Sequence, residues 1–340
     1  MTRLLLLAYG RPTEYARAVF AALSAWAFAP AGYGQLSAVV FTDQPAAFEP
    51  YLAGLPVAYQ LLSASLLAEL RGPQQFVHRV KACVIAQAGQ DYPGDELLFI
   101  DSDTFFVAAP GPLLQGLAAG AAYLHQREYT LAGAVGVYAG FQQARYPRRL
   151  LALLAERSFK VGGAQVRFDP SQVTWNSGVV GLPTTLTPLL PDTLALTDAL
   201  YAGCGWFVCE QLAFSLILQA AGPVEPADAY VYHYWAQAQK TLADSLLAVE
   251  LTAAFAALPL PARLRRVRQL VPTWHEQLEI HKAQQDALYA FSHGEYKSGV
   301  KCAAKALLAF PFDPGFARDL LRVLRQRALH ARRPRSVQRQ

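Results

Sequence analysis

Asp101-Ser102-Asp103 follows the apolar run Leu97-Leu98-Phe99-Ile100 directly and is itself followed by Thr104 and a second apolar run, Phe105 to Val107. Two carboxylates at the lip of an apolar segment are costly to desolvate unless a positive group joins them. A divalent cation carrying phosphate meets that need. Hard oxygen ligands suit Mn²⁺ or Mg²⁺, which take one or two carboxylates and fill their remaining positions with substrate phosphate and water. The bland alternative for an Asp-x-Asp triplet is a solvated turn, and the wholly apolar run before it favours the metal or phosphate site.

A buried strand is the simplest form for Leu97 to Ile100, because the run is short, apolar and preceded by the turn-forming Tyr92-Pro93-Gly94-Asp95. The acids then stand at its carboxyl end, the edge of an open α/β sheet where ligands bind. Arg3 to Tyr9 reads as the first strand, with Tyr9-Gly10-Arg11-Pro12 as the turn and Thr13 as the capping hydroxyl of a helix to Leu23. Ser37 to Asp43 reads as a second strand, and Asp43 either bonds a ribose or base or caps the next helix. Residues 56–62 suggest a third strand and Ser63 to Arg71 a helix. Phe76, Val80 and Val84 then recur at helical spacing, with Arg79 and Lys81 on different sides. This β-α order predicts a parallel, doubly wound half. Neither Gly-x-Gly-x-x-Gly nor Gly-x-x-x-x-Gly-Lys-Ser/Thr occurs, which removes the main support for dinucleotide oxidoreductases and P-loop NTPases.

Later segments carry further polar groups. A strand from Val173 to Leu182 is interrupted by Asn176-Ser177-Gly178, either a turn or a place where a ligand approaches the backbone closely. Residues 145–160 read as a basic helix. Glu210 opens the helix that continues to Leu218; the helix dipole would keep its carboxylate ionised, which suits a general base or an ordinary helix-start charge. His233 lies in the aromatic, β-prone run Ala229 to Trp235, and Lys240 follows shortly.

In this order the motifs resemble the GT-A nucleotide-sugar glycosyltransferases of the Asp-x-Asp type. Glycosyltransferase family 8 is the nearest in pattern, though six residues separate His233 from Lys240 where that family has His-x-x-Gly-x-x-Lys. The resemblance implies a GT-A fold, an α/β Rossmann-like mixed central sheet with flanking helices, here followed by an α-helical appendage. It implies that Asp101, Asp103 and His233 hold Mn²⁺ or Mg²⁺, and that a basic residue on the helix before the Asp-x-Asp strand, Lys81 or Arg79, reaches the donor diphosphate. It further implies that Tyr9 and Asp43 face the nucleoside, that Ser102, Asn176 and Ser177 face the donor, that Glu210 faces the acceptor and that Lys240 meets the departing diphosphate.

Composition bounds the rest. With 340 residues, 53% hydrophobic and 11% aromatic, the chain can bury a large core. No run approaches the roughly 20 apolar residues of a spanning helix. Met1 to Tyr9 imitates a signal peptide but passes into Gly10-Arg11-Pro12 with no small-residue cleavage site, and so reads as a strand. The four cysteines are scattered with no Cys-x-x-Cys pair, which fits a reducing cytoplasm. The net charge of +5 is uneven: residues 263–340 carry +10 and residues 1–262 carry −5. A basic end of this kind reads as a solvated helix face or as attachment to an anionic surface; the expectation is peripheral contact with the inner face of a membrane and no nucleic acid. After Lys240 everything reads as helix, with breaks expected at Pro259, Pro261 and Pro272, and Lys297, Lys301 and Lys305 on one helix face. The helix-loop-helix from Ala290 to Arg327 resembles a helical-repeat hairpin.

The expected organisation is a GT-A domain over 1–240, a helical region over 241–330 and a basic disordered tail over 331–340. The expected reaction moves a sugar from a nucleoside diphosphate-sugar, UDP-linked, to a hydroxyl of a saccharide or lipid-linked saccharide in cell-surface polysaccharide or glycolipid synthesis. Two rivals stand beside it. One is a haloacid-dehalogenase-type phosphohydrolase, whose Asp-x-Asp normally begins near the N-terminus and whose fifth position is here Phe105. The other is a non-catalytic nucleotide-sugar or surface-binding protein.

Overall fold

The computed structural model describes residues 1–29, 35–311 and 313–332. The expected tail from Arg333 onward lies outside them. Contacts divide the chain into two compact units: Met1–His233 together with Leu247–Val271, and Tyr234–Leu246 together with the described residues from Pro272 on.

The first unit opens with β1 (Thr2–Ala8), α1 (Pro12–Phe28), β2 (Leu36–Thr42), α2 (Glu49–Leu52), β3 (Val57–Leu61), α3 (Ala64–Leu70), α4 (Arg79–Asp91) and β4 (Glu96–Ile100). It continues through β5 (Thr104–Phe106), α5 (Gly111–Ala118), β6 (Ala122–Leu124), β7 (Arg127–Thr130), α6 (Ala134–Ala139) and α7 (Arg145–Glu156). Then come β8 (Phe159–Val161), β9 (Ala164–Val166), β10 (Val173–Trp175), β11 (Val179–Leu182), α8 (Leu190–Cys204), α9 (Cys209–Ala221), β12 (Val224–Pro226) and β13 (Val231–His233).

Seven strands form the central sheet in the order β12-β6-β11-β4-β1-β2-β3. Strands β3, β2, β1 and β4 run parallel, the doubly wound half expected from the sequence. Strand β11 is antiparallel to both β4 and β6, which makes the sheet mixed. Both faces are covered, so β1 and β2 read as continuous apolar runs rather than alternating ones. Leu5, Val39, Phe41, Leu97, Phe99, Val180 and Leu182 form one face of the core with Val84 and Ile85 of α4. A second cluster gathers Leu150, Leu154, Leu200, Trp206, Leu212 and Ile217 from α7, α8, α9 and the α8–α9 turn.

Several local expectations change. Thr13 does not cap α1: Arg11 holds the cap position, Pro12 starts the helix and no side chain bonds the first turn. Proline's fixed φ and missing N–H suit that first position. Helix α4 begins at Arg79, so Phe76 packs ahead of it. The expected strand from Val173 to Leu182 is two strands, β10 paired with β7 outside the main sheet and β11 inside it, because Asn176-Ser177-Gly178 turns the chain between sheets.

The helices that follow are α10 (Gln237–Glu250), α11 (Ala253–Ala256), α12 (Leu260–His293), α13 (Tyr296–Ala309) and α14 (Pro314–Arg332). Pro272 does not end a helix as expected: α12 runs through it for 34 residues. The cost is a lost i→i−4 bond and crowding near the preceding turn, which long flanking helical stretches tolerate. In the second unit Ala283, Ala287 and Phe291 of α12 pack on Ala303 and Ala306 of α13 and on Phe316 of α14. Gly294, at φ +82, turns the chain between α12 and α13, and the three lysines of α13 are all exposed. No described helix is long and apolar enough to cross a membrane.

Arg263, within the first unit, is 4% exposed and donates to the carbonyls of Pro50, Tyr51 and Ala53 at the end of α2. A charged donor satisfying several orphan carbonyls contributes more than a neutral bond does. Arg263→Ala is expected to lower the unfolding free energy by about 2–3 kcal/mol, read as a lower urea midpoint at unchanged slope.

Candidate functional site

Parallel register brings the polar strand ends together. Leu6 pairs with Ile100 and Ala8 with Thr42, so Tyr9, Asp43 and Asp101 emerge at one sheet edge. Antiparallel β11 starts at that edge, and the Asp101 amide donates to the Gly178 carbonyl at 2.8 Å. The short ribbon of β5 and β13 completes the arrangement. It sets His233 opposite Thr104, next to Asp103.

The result is a cluster of Asp101, Asp103 and His233 whose ligand atoms all lie within 4.8 Å of one another. His233 Nε2 is 3.3 Å from Asp103 Oδ1 and 3.9 Å from Asp101 Oδ2. Its Nδ1 lies 2.9 Å from Asn176 Oδ1, which also accepts from the Gly178 amide. A side-chain carbonyl facing Nδ1 requires a proton there. Nε2 then turns its lone pair toward the two carboxylates, the tautomer in which an imidazole binds a metal. Two carboxylates and one imidazole, with a side open to solvent at Asp101, fit Mn²⁺ or Mg²⁺ with positions left for phosphate oxygens and water. Behind His233, the buried His125 lies edge-on at 5.3 Å. Burial holds its pKa down at about 3, with His233 adding to the effect.

Asn176 uses both ends of its side chain within the protein: its carbonyl orients His233 and its amide reaches Glu128 Oε1 at 3.4 Å. Ser177 meets Lys81, whose Nζ bonds the Ser177 carbonyl at 2.5 Å and hydroxyl at 2.9 Å. Lys81 Nζ also lies 3.3 Å from Asp101 Oδ2 and 3.4 Å from Glu210 Oε1. Of the two basic candidates, only Lys81 joins this cluster. Arg79 forms a two-pronged pair with Asp198 at 2.6 and 3.0 Å.

Glu210 corrects an expectation. It does sit in the first turn of α9, but only 4% exposed, and burial pushes its pKa up to about 7 against the lowering by Lys81. Desolvation outweighs the helix dipole, which acts at the 1 kcal/mol level or below at exposed sites. Its oxygens face Lys81 and the Ser177 hydroxyl.

Asp43 caps no helix; it accepts from the Tyr15 hydroxyl at 2.8 Å and from the Gly10 amide at 3.1 Å, tying β2 to the β1–α1 turn. Tyr9, Asp43, Glu14 and Arg71 line a cleft of about 550 Å³ at this edge. Ser102 donates to Glu14 Oε2 at 2.7 Å. Lys240 is on α10 in the second unit. Glu14 and Glu128 carry no motif in the sequence. Glu14, in the first turn of α1, bonds Arg17 and Ser102, and Glu128 takes Gln211 Nε2 at 2.9 Å. Glu14 alone had a positional signal, as a first-turn acid of the helix that follows β1; Glu128 lies in β7, outside the central sheet.

Gly178 is required by contact rather than by φ. A Cβ there would fall 2.1 Å from His233 Nδ1 and 2.4 Å from its Cε1. Gly178→Ala is expected to push the imidazole off Asn176 and weaken Mn²⁺ binding about 10- to 100-fold, measured by calorimetric titration of the metal.

No family profile matches the chain. No curated protein matches it in sequence. Among solved structures it is similar to mouse xyloside xylosyltransferase 1 (15% identity, 66% of this chain and 85% of that one, TM-score 0.43). It is also similar to the bifunctional glycosyltransferase WbbM (12% identity, 66% of this chain and 39% of that one, TM-score 0.45). A third is the galactosyltransferase LgtC with donor and acceptor sugar analogues (13% identity, 76% and 97%, TM-score 0.46).

Proposed function

We propose that the chain is a metal-dependent glycosyltransferase of GT-A type that moves a sugar from a nucleoside diphosphate-sugar to a hydroxyl acceptor. The observation that carries this reading is the convergence of Asp101, Asp103 and His233 at the carboxyl edge of the parallel strands, with Asn176 setting the imidazole tautomer. Mn²⁺ or Mg²⁺ bound there would neutralise the departing diphosphate, the main electrostatic task in such chemistry. Lys81 holds Asp101 and the Asn-Ser-Gly turn in place and adds positive charge beside the diphosphate. Tyr9 and Asp43, on the cleft that opens from the same edge, face the nucleoside, with a UDP donor as the first choice. Ser102 and Ser177 are proposed to face the donor.

Glu210 is the proposed base if configuration inverts. A pKa raised by burial to about 7 suits that role, and its Oε2 accepts from the Ser177 hydroxyl at 3.3 Å. Exposed Lys297, Lys301, Val300 and Leu308 of α13 support peripheral contact with an anionic membrane surface, consistent with work on lipid-linked or cell-surface saccharides at the cytoplasmic side.

The test is nucleoside diphosphate release from a panel of UDP-, GDP- and dTDP-sugars with Mn²⁺, Mg²⁺ or EDTA. Release from one donor that requires the metal supports the transferase. Metal-dependent donor binding without turnover, in the presence of saccharide acceptors, supports a binding protein instead.

A further inference from the structure

We propose that Tyr138, Phe141 and Phe207 form a stacking platform for a pyranose acceptor, with Glu128 and Gln211 at its rim. The proposal rests on the transferase reading and names its acceptor class. Phe207 is 50% exposed and Phe141 53%, and both rings stand against Tyr138, with centroids 6.4 and 6.1 Å away. Tyr138 is braced from below by the buried Trp206, perpendicular to it at 4.8 Å. Exposed aromatics gathered on one rigid base are unusual for a solvated surface and mark a binding site.

The backbone presents these rings deliberately. Gln142 has φ +57, a left-handed conformation that non-glycine residues rarely adopt, and the Gln143 amide returns to the Tyr138 carbonyl at 2.8 Å. Strain of this kind persists where the surroundings over-determine it. The turn ends α6 and leaves Phe141 on the surface instead of continuing a helix.

The platform is continuous with the candidate centre. Phe207 lies in the turn that leads into α9, three residues before Glu210. The Tyr129 hydroxyl donates to the Tyr138 oxygen at 3.3 Å, leaving the Tyr138 O–H able to donate outward. Beside Tyr129, the Glu128 carboxylate takes Asn176 from the metal side and Gln211 from the α9 side. This combination selects the ligand. A pyranose has C–H patches on its faces for aromatic rings and hydroxyls on its rim for a carboxylate, an amide and a phenol. An acyl chain would make no use of this polar rim, and a second anion would be repelled by Glu128.

The test is saturation-transfer NMR on the full chain with UDP and Mg²⁺. The probes are the methyl pyranosides of glucose, galactose, mannose and the two N-acetylhexosamines, together with lactose. At least one probe is expected to receive saturation on its ring C–H face. Its affinity is expected to fall about 10-fold, or 1.4 kcal/mol, in Phe207→Ala and in Phe141→Ala at wild-type Tm, while Phe207→Tyr keeps it. Wild type that binds none of the probes, or variants that bind them as tightly as wild type, would overturn the platform. The UDP signal in the same samples judges the donor reading separately: UDP bound with no saccharide bound sinks only the platform, and the reverse sinks only the donor site.

Discussion

Asp103→Asn is expected to lower metal-dependent turnover by about 10³ or more and to abolish the Mn²⁺-induced rise in Tm. Asparagine keeps the shape of the buried side chain and removes its charge. Asp103 is 5% exposed with its Oδ1 3.3 Å from His233 Nε2, the nearer and more buried of the two carboxylates that would draw a cation to the imidazole. A metal that binds only the native state stabilises wild type by about 2.7 kcal/mol at 100 times its Kd, a shift of several degrees in a chain of this size. The variant should show no such shift. A variant whose Tm still rises with Mn²⁺ as wild type does would place the metal elsewhere.

Lys81→Met is the second large effect, and it falls on stability. Lys81 and Glu210 are both buried, 3.4 Å apart, and removing one partner of a buried pair typically costs about 3–5 kcal/mol. The pH dependence identifies the cause. Glu210 is raised in the folded state to about 7, above its ordinary carboxyl value, so the folded protein holds a proton that the unfolded chain has released. Stability linked to this group is full at low pH and declines as pH rises from about 4.5 through 7. In Lys81→Met the cation that lowers this pKa is gone, and the decline deepens and extends to higher pH. The deficit relative to wild type should be larger at pH 8 than at pH 5, where the lost bonds to Ser177 and Asp101 remain, read from urea unfolding at both values. In Lys81→Met/Glu210→Gln the pH dependence of that deficit should vanish. A deficit equal at pH 5 and pH 8 would mean that lost packing, including Lys81 over the Phe99 ring at 5.1 Å, outweighs the charge.

The parallel half was legible because each of its strands is a short apolar run bounded by turn residues and followed by a helical period, and β1, β2, β3 and β4 fall within a residue or so of their expected spans. The cluster of Asp101, Asp103 and His233 was legible in outline, since apolar burial before Asp101 and the placement of His233 in a β-prone run each carry a local signature. What joins them is not local. The pairing of β13 with β5 spans more than 120 residues and leaves no pattern in either segment. The role of Asn176 depends on which of its atoms meets His233, which composition cannot state. The ionisation of Glu210 differs from its expectation for a related reason: its place in a helix is written in the sequence, whereas the burial that outweighs both the helix dipole and the opposing Lys81 comes from the fold around α9. Pro272 shows the same limit, where the continuing helix on both sides outvotes a local breaker.

The most direct test of the central claim is pulsed electron paramagnetic resonance of the full chain with Mn²⁺ and UDP, on protein carrying ¹⁵N-labelled histidine. The account predicts one bound Mn²⁺ with coupling to a single imidazole nitrogen and to phosphorus. The nitrogen coupling should be lost in His233→Gln and in Gly178→Ala, and the bound ion itself in Asp103→Asn. A bound Mn²⁺ that shows phosphorus coupling but no histidine nitrogen, unchanged by all three substitutions, would contradict it.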